Sequence, residues 1–138
     1  MLMPKKTKFR KVQRGTMKGR SKGARSVAFG EFGLQAVEPG WLTAQQIESI
    51  RLTMARKLKK VGKMFLRVFP DKPITKKPAE TRMGKGKGPV DKWVSVVRRD
   101  RVICEVSGLG EVEARDLLRQ AAYKLPMKTR FVKKSDDE

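Results

Sequence analysis

Apolar side chains recur every three or four positions between residues 43 and 61, which predicts an α-helix with one buried face. Thr43 and Gln46 stand three positions apart at its start and form a capping box. Gly62 stands where a C-terminal cap belongs. The predicted buried positions of this helix are Ile47, Ile50, Met54, Leu58 and Val61.

A second helix is predicted from about Glu111, and Pro126 ends it. Acidic residues are concentrated near its N-terminus, where the helix dipole favours negative charge. The predicted inner positions of this second helix are Val112, Leu117, Leu118, Ala121 and Leu125.

Alternation of apolar and polar residues predicts strands in much of the remaining chain. The predicted strands are residues 27–37, 63–69, 93–97, 102–106 and 128–132. Glycines in residues 27–37 indicate a bulged strand pair, and Pro70 ends the strand at residues 63–69. The third and fourth are expected to form an antiparallel hairpin that turns at residues 98–101.

Residues 70–89 carry no secondary-structure pattern, and a loop of this length in a compact domain is usually either functional or disordered. Its tip alternates Gly and Lys, so backbone amides and ammonium groups can both approach phosphate. Gly88 follows Lys87 where a Walker A loop needs Ser or Thr, and Pro89 stands where a dinucleotide-binding fingerprint needs a helix. The loop is interpreted as a cationic finger for folded RNA, with a plain linker as the alternative.

Composition narrows the class of protein. The chain has 138 residues, and its 38% hydrophobic content suffices for one domain with a modest core. It contains no His and one Cys, which excludes imidazole catalysis, His-ligated metals, a disulfide framework and a Cys-ligated zinc site. That cysteine, Cys104, lies inside a predicted strand and is expected to be a core residue.

The charge is large and unevenly placed. The chain has 34 Lys+Arg against 14 Asp+Glu, a net charge of +20. Residues 1–30 and 51–70 are basic without one acidic residue, whereas residues 93–138 are nearly neutral. Charge that serves only solubility would mix the two signs. The segregation predicts surfaces that meet a polyanion, and nucleic acid is the commonest one.

Two basic surfaces are expected to contact RNA. One lies in the N-terminal stretch, for which the alternative is a tail that only increases solubility. The other lies on the first helix, for which the alternative is an ordinary solvent-exposed face. The candidates in the N-terminal stretch are Lys5, Lys6, Lys8, Arg10, Lys11, Arg14, Lys18, Arg20, Lys22 and Arg25. The candidates on the first helix, opposite its apolar face or at the margins, are Arg51, Arg56, Lys59 and Lys60.

The domain organisation follows from these patterns. We expect a basic extension over residues 1–28, a single α+β domain over 29–134 with its long loop at 70–91, and an acidic tail over 135–138. No apolar run approaches the length that spans a bilayer, and the basic start is not followed by the apolar segment of a secretory signal.

The loop also carries a family resemblance. Residues 69–78 and 82–88 closely resemble the bacterial large-subunit ribosomal protein family called L-sixteen. Shorter stretches in residues 1–11, 29–34 and 125–132 agree with the same family, in the same order. The resemblance extends over nearly the whole chain without a large insertion.

The resemblance implies an α+β fold of two helices on a mostly antiparallel sheet. It also implies a non-enzymatic cytoplasmic protein of the large ribosomal subunit, with an organellar ribosome left open, and no cofactor or metal. The implied partners are large-subunit rRNA, the A-site and P-site tRNAs and neighbouring ribosomal proteins, with a role in subunit assembly. The loop residues that would point towards the tRNAs and the peptidyl-transferase region are Lys76, Lys77, Arg82, Met83, Gly84, Lys85, Gly86, Lys87 and Gly88.

Arg82 matches an arginine that is hydroxylated in some bacterial relatives and is therefore a candidate modification site. The chain departs from the family at Gln45, where relatives usually carry Arg, and at Arg99-Asp100, where they often carry Pro-Gly.

Two other functions remain as alternatives. One is a free-standing architectural nucleic-acid protein. The other is a phosphate-handling enzyme that uses Lys85 and Lys87, but the nearby carboxylates of Asp71, Glu80 and Asp91 are scattered and offer no convincing general base.

Overall fold

The described residues form two antiparallel sheets and two helices. The computed structural model describes residues 3–5, 19–21, 23–58, 62–75 and 90–134. The elements in these ranges are β1 (Phe32–Ala36), β2 (Gly40–Thr43), α1 (Ala44–Leu58), β3 (Lys63–Leu66), β4 (Lys72–Thr75), β5 (Val90–Val97), β6 (Val102–Ser107), α2 (Glu111–Ala122) and β7 (Thr129–Lys133).

The strands are divided between a four-stranded sheet of order β3-β6-β1-β7 and a three-stranded sheet of order β2-β5-β4, and every ladder is antiparallel. The α+β class expected from the sequence is confirmed. Two sheets are present within the described ranges, where one mostly antiparallel sheet was expected.

The expected hairpin of residues 93–97 with 102–106 is wrong. β5 lies in the three-stranded sheet, and β6 is a central strand whose two edges already pair with β1 and β3. No edge of β6 is left for β5, so the chain crosses between sheets at residues 98–101. Asp100 turns the chain there with φ of 76°, in the left-handed region that Asp and Asn adopt more readily than most side chains.

Part of the predicted loop is a strand. β4 forms the outer edge of the three-stranded sheet, where Pro73 is tolerated because an edge strand has one unpaired side. This contradicts the expectation that residues 70–89 lack secondary structure. Residues 76–89 lie outside the described residues.

Two further strands differ in extent from the prediction. Residues 27–37 contain one strand, β1, in place of a strand pair, although the predicted bulge is present as a register shift between Leu34 and Gln35. β3 ends at Leu66, and beyond it the Arg67 N–H still donates to the Ile103 carbonyl of β6 at 2.9 Å. β7 forms the last strand as predicted.

The helices pack on one face of the four-stranded sheet. Four of the five predicted inner positions of α1 are buried, and Val61 lies outside the described residues. The prediction for Val112 on α2 is wrong, because its side chain is 83% exposed. The side chains of the main core cluster are Leu34, Ile50, Met54, Leu58, Cys104, Val106, Ala114, Leu117, Leu118 and Ala121.

The opposite face of the same sheet is covered by residues 24–31. Val27 is buried, and a Cβ placed on Gly33 would lie 3.2 Å from its side chain. The Val102 N–H donates to the Ala24 carbonyl at 2.6 Å, and the Glu31 N–H donates to the Val106 carbonyl at 2.8 Å. The chain therefore lies directly on the sheet before it enters β1.

Candidate nucleic-acid interface

The base of the cationic loop is a two-stranded stem. β4 and β5 pair antiparallel from Lys72 opposite Val94 to Thr75 opposite Val90. The stem therefore delivers both ends of the segment 76–89 to one point on the domain. The loop candidates Lys76, Lys77, Arg82, Met83, Gly84, Lys85, Gly86, Lys87 and Gly88 all lie outside the described residues.

The stem is fixed to the domain through β2. β5 pairs with β2 along its other edge, and the side chains of Val94 and Val97 are completely buried. The Lys72 ammonium lies 5.3 Å from the centroid of the Trp41 ring, which joins the edge strand to β2 across the sheet. β2 continues directly into α1, so the stem and this helix share one frame.

The predicted capping box forms the junction between β2 and α1. The Thr43 N–H donates to Gln46 Oε1 at 2.9 Å, and the Gln46 N–H donates to Thr43 Oγ1 at 3.2 Å. Two backbone donors at the helix start are thereby satisfied. The capping box fixes the direction in which α1 leaves the three-stranded sheet.

The far end of α1 carries exposed positive charge. Arg56 and Lys57 lie in its last turn, where the helix dipole favours cations, and both side chains are exposed. Neither forms an ion pair with a carboxylate of the described part of the chain. The candidates Lys59 and Lys60 lie outside the described residues.

Arg51 differs from these residues because it is paired. Its guanidinium contacts the Glu48 carboxylate one turn earlier on α1. This hydrogen bond lowers the pKa of Glu48 and raises the pKa of Arg51. The sequence interpretation looked for acidic partners only after Arg51 and missed the one that precedes it.

Three candidates of the N-terminal stretch lie in described residues. Lys5 and Arg25 are exposed, and Arg20 forms an ion pair with Asp100, whose carboxylate lies 3.1 Å from Arg20 Nε. Lys6, Lys8, Arg10, Lys11, Arg14, Lys18 and Lys22 lie outside the described residues.

Glu105 holds the chain that follows this stretch. Its buried Oε1 accepts hydrogen bonds from the N–H groups of Ala28, Phe29 and Gly30 at 2.8–3.1 Å. Burial acts to raise the pKa of Glu105, but these N–H donors and the Arg67 guanidinium outweigh it and lower the pKa. Glu105 therefore remains ionised and fixes where the N-terminal stretch joins the sheet.

Three cations on or beside α2 are paired. Arg115 and Lys133 both contact the Glu111 carboxylate, at 3.2 and 2.7 Å, and Arg119 contacts Asp116 at 2.7 Å. Lys133, followed by Arg115, lowers the pKa of Glu111. These three cations thus have carboxylate partners, unlike Arg56 and Lys57 at the end of α1.

Arg98 and Arg99 are exposed cations that were missed as candidates, because their positions were interpreted only as a hairpin turn. The signal that could have found them is the run of four charged residues at 98–101, of which Asp100 alone is acidic. The Ser21 N–H donates to the Arg99 carbonyl at 2.9 Å, so this turn lies beside the N-terminal stretch.

The free cysteine, the possible metal ligands and the helix lengths of the described residues bear on what kind of site this part of the chain could form. Cys104 is buried, and this burial raises the pKa of its thiol to about 12, as expected for a core residue. No cluster of three or more possible metal-ligating side chains occurs there. Neither described helix has the length and apolar run needed to cross a bilayer.

The fold and its segregated charge define an α+β protein with exposed cationic surfaces. A family model described as "Ribosomal protein L16p/L10e" matches residues 4–132. A Chlamydia trachomatis serovar L2 protein named "Large ribosomal subunit protein uL16" is 59% identical over 134 residues, which cover 97% of both chains. A Heliobacterium modesticaldum protein of the same name is 54% identical over 136 residues, which cover 99% of this chain and 94% of that protein.

The chain belongs to the ribosomal protein L16p/L10e family. It is a structural constituent of the large ribosomal subunit in the cytoplasm and not an enzyme. The family resemblance carried by the loop sequence is thereby confirmed.

Proposed function

We propose that this protein binds large-subunit rRNA through the N-terminal stretch and the exposed end of α1. From there it holds the loop at 76–89 towards the A-site and P-site tRNAs near the peptidyl-transferase centre. In this role it shapes the tRNA environment and supports late assembly of the subunit. Neighbouring ribosomal proteins are its further partners.

The observation that carries the proposal is the shared frame of the stem and α1. β5 pairs with β4 on one edge and with β2 on the other, and β2 leads into the capped start of α1. An RNA that contacts α1 would therefore set the position of the stem. Because β2 and β5 are held together by a ladder of four residue pairs, little freedom separates the two surfaces.

The difference between paired and unpaired cations supports the choice of α1 as an RNA surface. Arg56 and Lys57 find no carboxylate within the described ranges, whereas Arg119 and Lys133 each contact one. A phosphate contact made by an unpaired cation does not compete with an intramolecular ion pair. It also releases counterions from the RNA, which makes the binding constant fall as salt rises.

The test is the salt dependence of binding to full-length large-subunit rRNA, measured by filter binding between 50 and 200 mM salt. The double variant Arg56→Gln/Lys57→Gln is expected to make the negative slope of log K against log salt less steep by about 0.9 for each phosphate that is no longer neutralised. The control Arg119→Gln/Lys133→Gln removes the same charge from paired positions and is expected to keep the wild-type slope. Equal slopes for wild type and Arg56→Gln/Lys57→Gln would contradict the role of α1.

The loop is tested separately. The triple variant Arg82→Gln/Lys85→Gln/Lys87→Gln is expected to fold normally and to impair late subunit assembly or tRNA accommodation when it is the sole copy in cells. If the isolated variant unfolds, the loop is structural and its proposed role is wrong. Mass spectrometry of the native chain tests the further proposal that Arg82 is hydroxylated, which predicts a mass increase of one oxygen atom on the peptide that contains it.

A further inference from the structure

We propose that the turn at residues 98–101 forms an additional phosphate-binding surface, in which the guanidinium groups of Arg98, Arg99 and Arg25 contact the rRNA backbone. We call these three side chains the turn cluster. The inference rests on the proposed function in one respect, namely that the ligand is RNA. It adds a site on the crossover between the two sheets, directly after the C-terminal end of β5.

The backbone that carries the turn cluster is held by hydrogen bonds from both sides. The Asp100 N–H donates to the Ala36 carbonyl at 2.8 Å, and the Ser21 N–H donates to the Arg99 carbonyl at 2.9 Å. The Arg101 N–H closes the turn on the Arg98 carbonyl at 3.2 Å. The turn is thus tied both to the end of β1 and to the N-terminal stretch.

The buried side chain of Gln35 joins Arg25 to this turn. Its Nε2 donates to the Arg25 carbonyl at 2.8 Å and to the Asp100 carbonyl at 2.7 Å, so both backbones contact one nitrogen atom. Its Oε1 accepts from Arg130 Nε at 2.8 Å, which fixes the orientation of the amide. Arg25 is therefore held next to the turn although more than seventy residues separate it from Arg98 in sequence.

The acidic residue of the turn does not neutralise the turn cluster. The Asp100 carboxylate contacts Arg20 Nε at 3.1 Å, which leaves Arg25, Arg98 and Arg99 without an ion pair to any described carboxylate. Arg101 points inward, because its Nη2 donates to the Arg67 carbonyl at 2.7 Å. The turn cluster therefore consists of three exposed guanidinium groups, and the one carboxylate of the turn already has a partner.

This arrangement fits phosphate. Guanidinium groups bind phosphate oxygens with two parallel hydrogen bonds, and they remain charged at any pH at which the protein folds. A backbone fixed before binding reduces the entropy that must be lost when the RNA is bound. Contacts to phosphate carry no base specificity, so the turn cluster would set position and affinity and not sequence preference.

The test uses the full chain and full-length large-subunit rRNA. Arg98→Gln/Arg99→Gln is expected to make the negative slope of log K against log salt less steep by about 1.8, the value for two phosphates that are no longer neutralised. The control Arg119→Gln/Lys133→Gln removes two paired cations and is expected to leave the slope at its wild-type value. Arg98→Lys/Arg99→Lys keeps the charge and is expected to retain most of the slope.

The outcomes separate this inference from the proposed function. If the wild type binds with a steep salt dependence and Arg98→Gln/Arg99→Gln matches it, the turn cluster is refuted while the proposed function stands. If the wild type itself shows no salt-dependent binding, the proposed function fails as well. If the double variant has a lower melting temperature than the wild type, the single variants Arg98→Gln and Arg99→Gln decide the question. Each is expected to make the slope of log K against log salt less steep by about 0.9.

Discussion

The Glu105 carboxylate lies 2.5 Å from Nη1 of Arg67, and the Glu105 side chain is completely buried. The other oxygen of the same carboxylate holds three consecutive N–H groups at residues 28–30. Arg67 in turn lies 5.0 Å from the centroid of the exposed Phe29 ring. One ion pair thus joins β6, the segment after β3 and the chain that enters β1, and it sets where the N-terminal stretch leaves the domain.

Replacing Glu105 by Gln is expected to lower the free energy of unfolding by about 3 kcal/mol. The substitution leaves the Arg67 guanidinium without its counter-charge and offers an amide donor where an acceptor is required. Urea unfolding monitored by circular dichroism measures the loss. Glu113→Gln is the matched control, because Glu113 is exposed on α2, and a change within about 0.5 kcal/mol is expected there.

The Glu105 carboxylate also makes the free energy of unfolding depend on pH. The pKa of Glu105 is lower in the folded state than its ordinary value of 4.5, so its contribution is present above about pH 4.5 and is lost as the pH falls through the folded-state pKa. The difference in stability between wild type and Glu105→Gln should therefore shrink in acid. A difference that stays constant from pH 7 to pH 3 would show that folding does not lower the pKa of Glu105.

Replacing Thr43 by Ala is expected to lower stability by about 1 kcal/mol, because the Gln46 N–H loses its side-chain acceptor. Thr53→Ala serves as the control, since it makes the same chemical change inside α1, where Ala is the better helix former. Thermal unfolding of both variants gives the comparison. Equal losses would mean that the capping box does not stabilise α1.

Replacing Gly30 by Ala is expected to lower stability by about 2 kcal/mol. The added Cβ would lie 2.6 Å from the Val106 carbonyl oxygen, a backbone atom that moves only if the sheet moves. At Gly23 no atom of the described residues beyond its chain neighbours lies within 4 Å of the corresponding position, so Gly23→Ala is expected to change stability by less than about 0.5 kcal/mol. Chemical denaturation of the two variants provides the measurement.

The Cys104 thiol is expected to react with a thiol reagent only after unfolding. Burial raises its pKa to about 12, so very little thiolate exists at neutral pH, and the reagent has no access to the sulfur. The rate of labelling at pH 8 should follow the population of unfolded chains as urea is added. Rapid labelling without urea would place Cys104 at the surface.

The helices were predictable because the local pattern and the tertiary environment agree. The spacing of apolar residues in α1 and its capping box define the helix before any packing is considered, and both are found in the structure. Val112 shows the limit of this reasoning. At about 100° per residue, Val112 falls on the side of α2 opposite the buried Ala114 and Leu118, so its position on the helix turns it towards solvent.

The strand partners were not predictable from sequence alone. β5 and β6 are close in sequence, and the four residues between them favour a hairpin, but pairing is decided by the other strands that compete for each edge of β6. β4 escaped notice because Pro73 is atypical of strands and is accepted only at a sheet edge. Neither fact can be read from the local pattern.

The candidate site likewise has features that the local sequence indicates and features that only tertiary contacts determine. Clusters of charge along the chain located the N-terminal stretch and α1, because an excess of one sign is visible in composition. The turn cluster was hidden because Arg25 is brought near the turn by the buried amide of Gln35, which contacts the carbonyls of Arg25 and Asp100. Likewise, pairing of Arg51 with Glu48 depends on side-chain geometry, which composition does not report.

Sedimentation of cell lysate through sucrose gradients at low and high salt tests the central claim most directly. The chain is followed across the fractions with an antibody. We expect it to remain with the large subunit and the intact ribosome through a high-salt wash. Many phosphate contacts, together with the stem that is rigidly joined to α1, would have to be released at the same time for the chain to dissociate. Recovery of the chain at the top of the gradient, or its release by a mild salt wash, would contradict an integral role in the subunit.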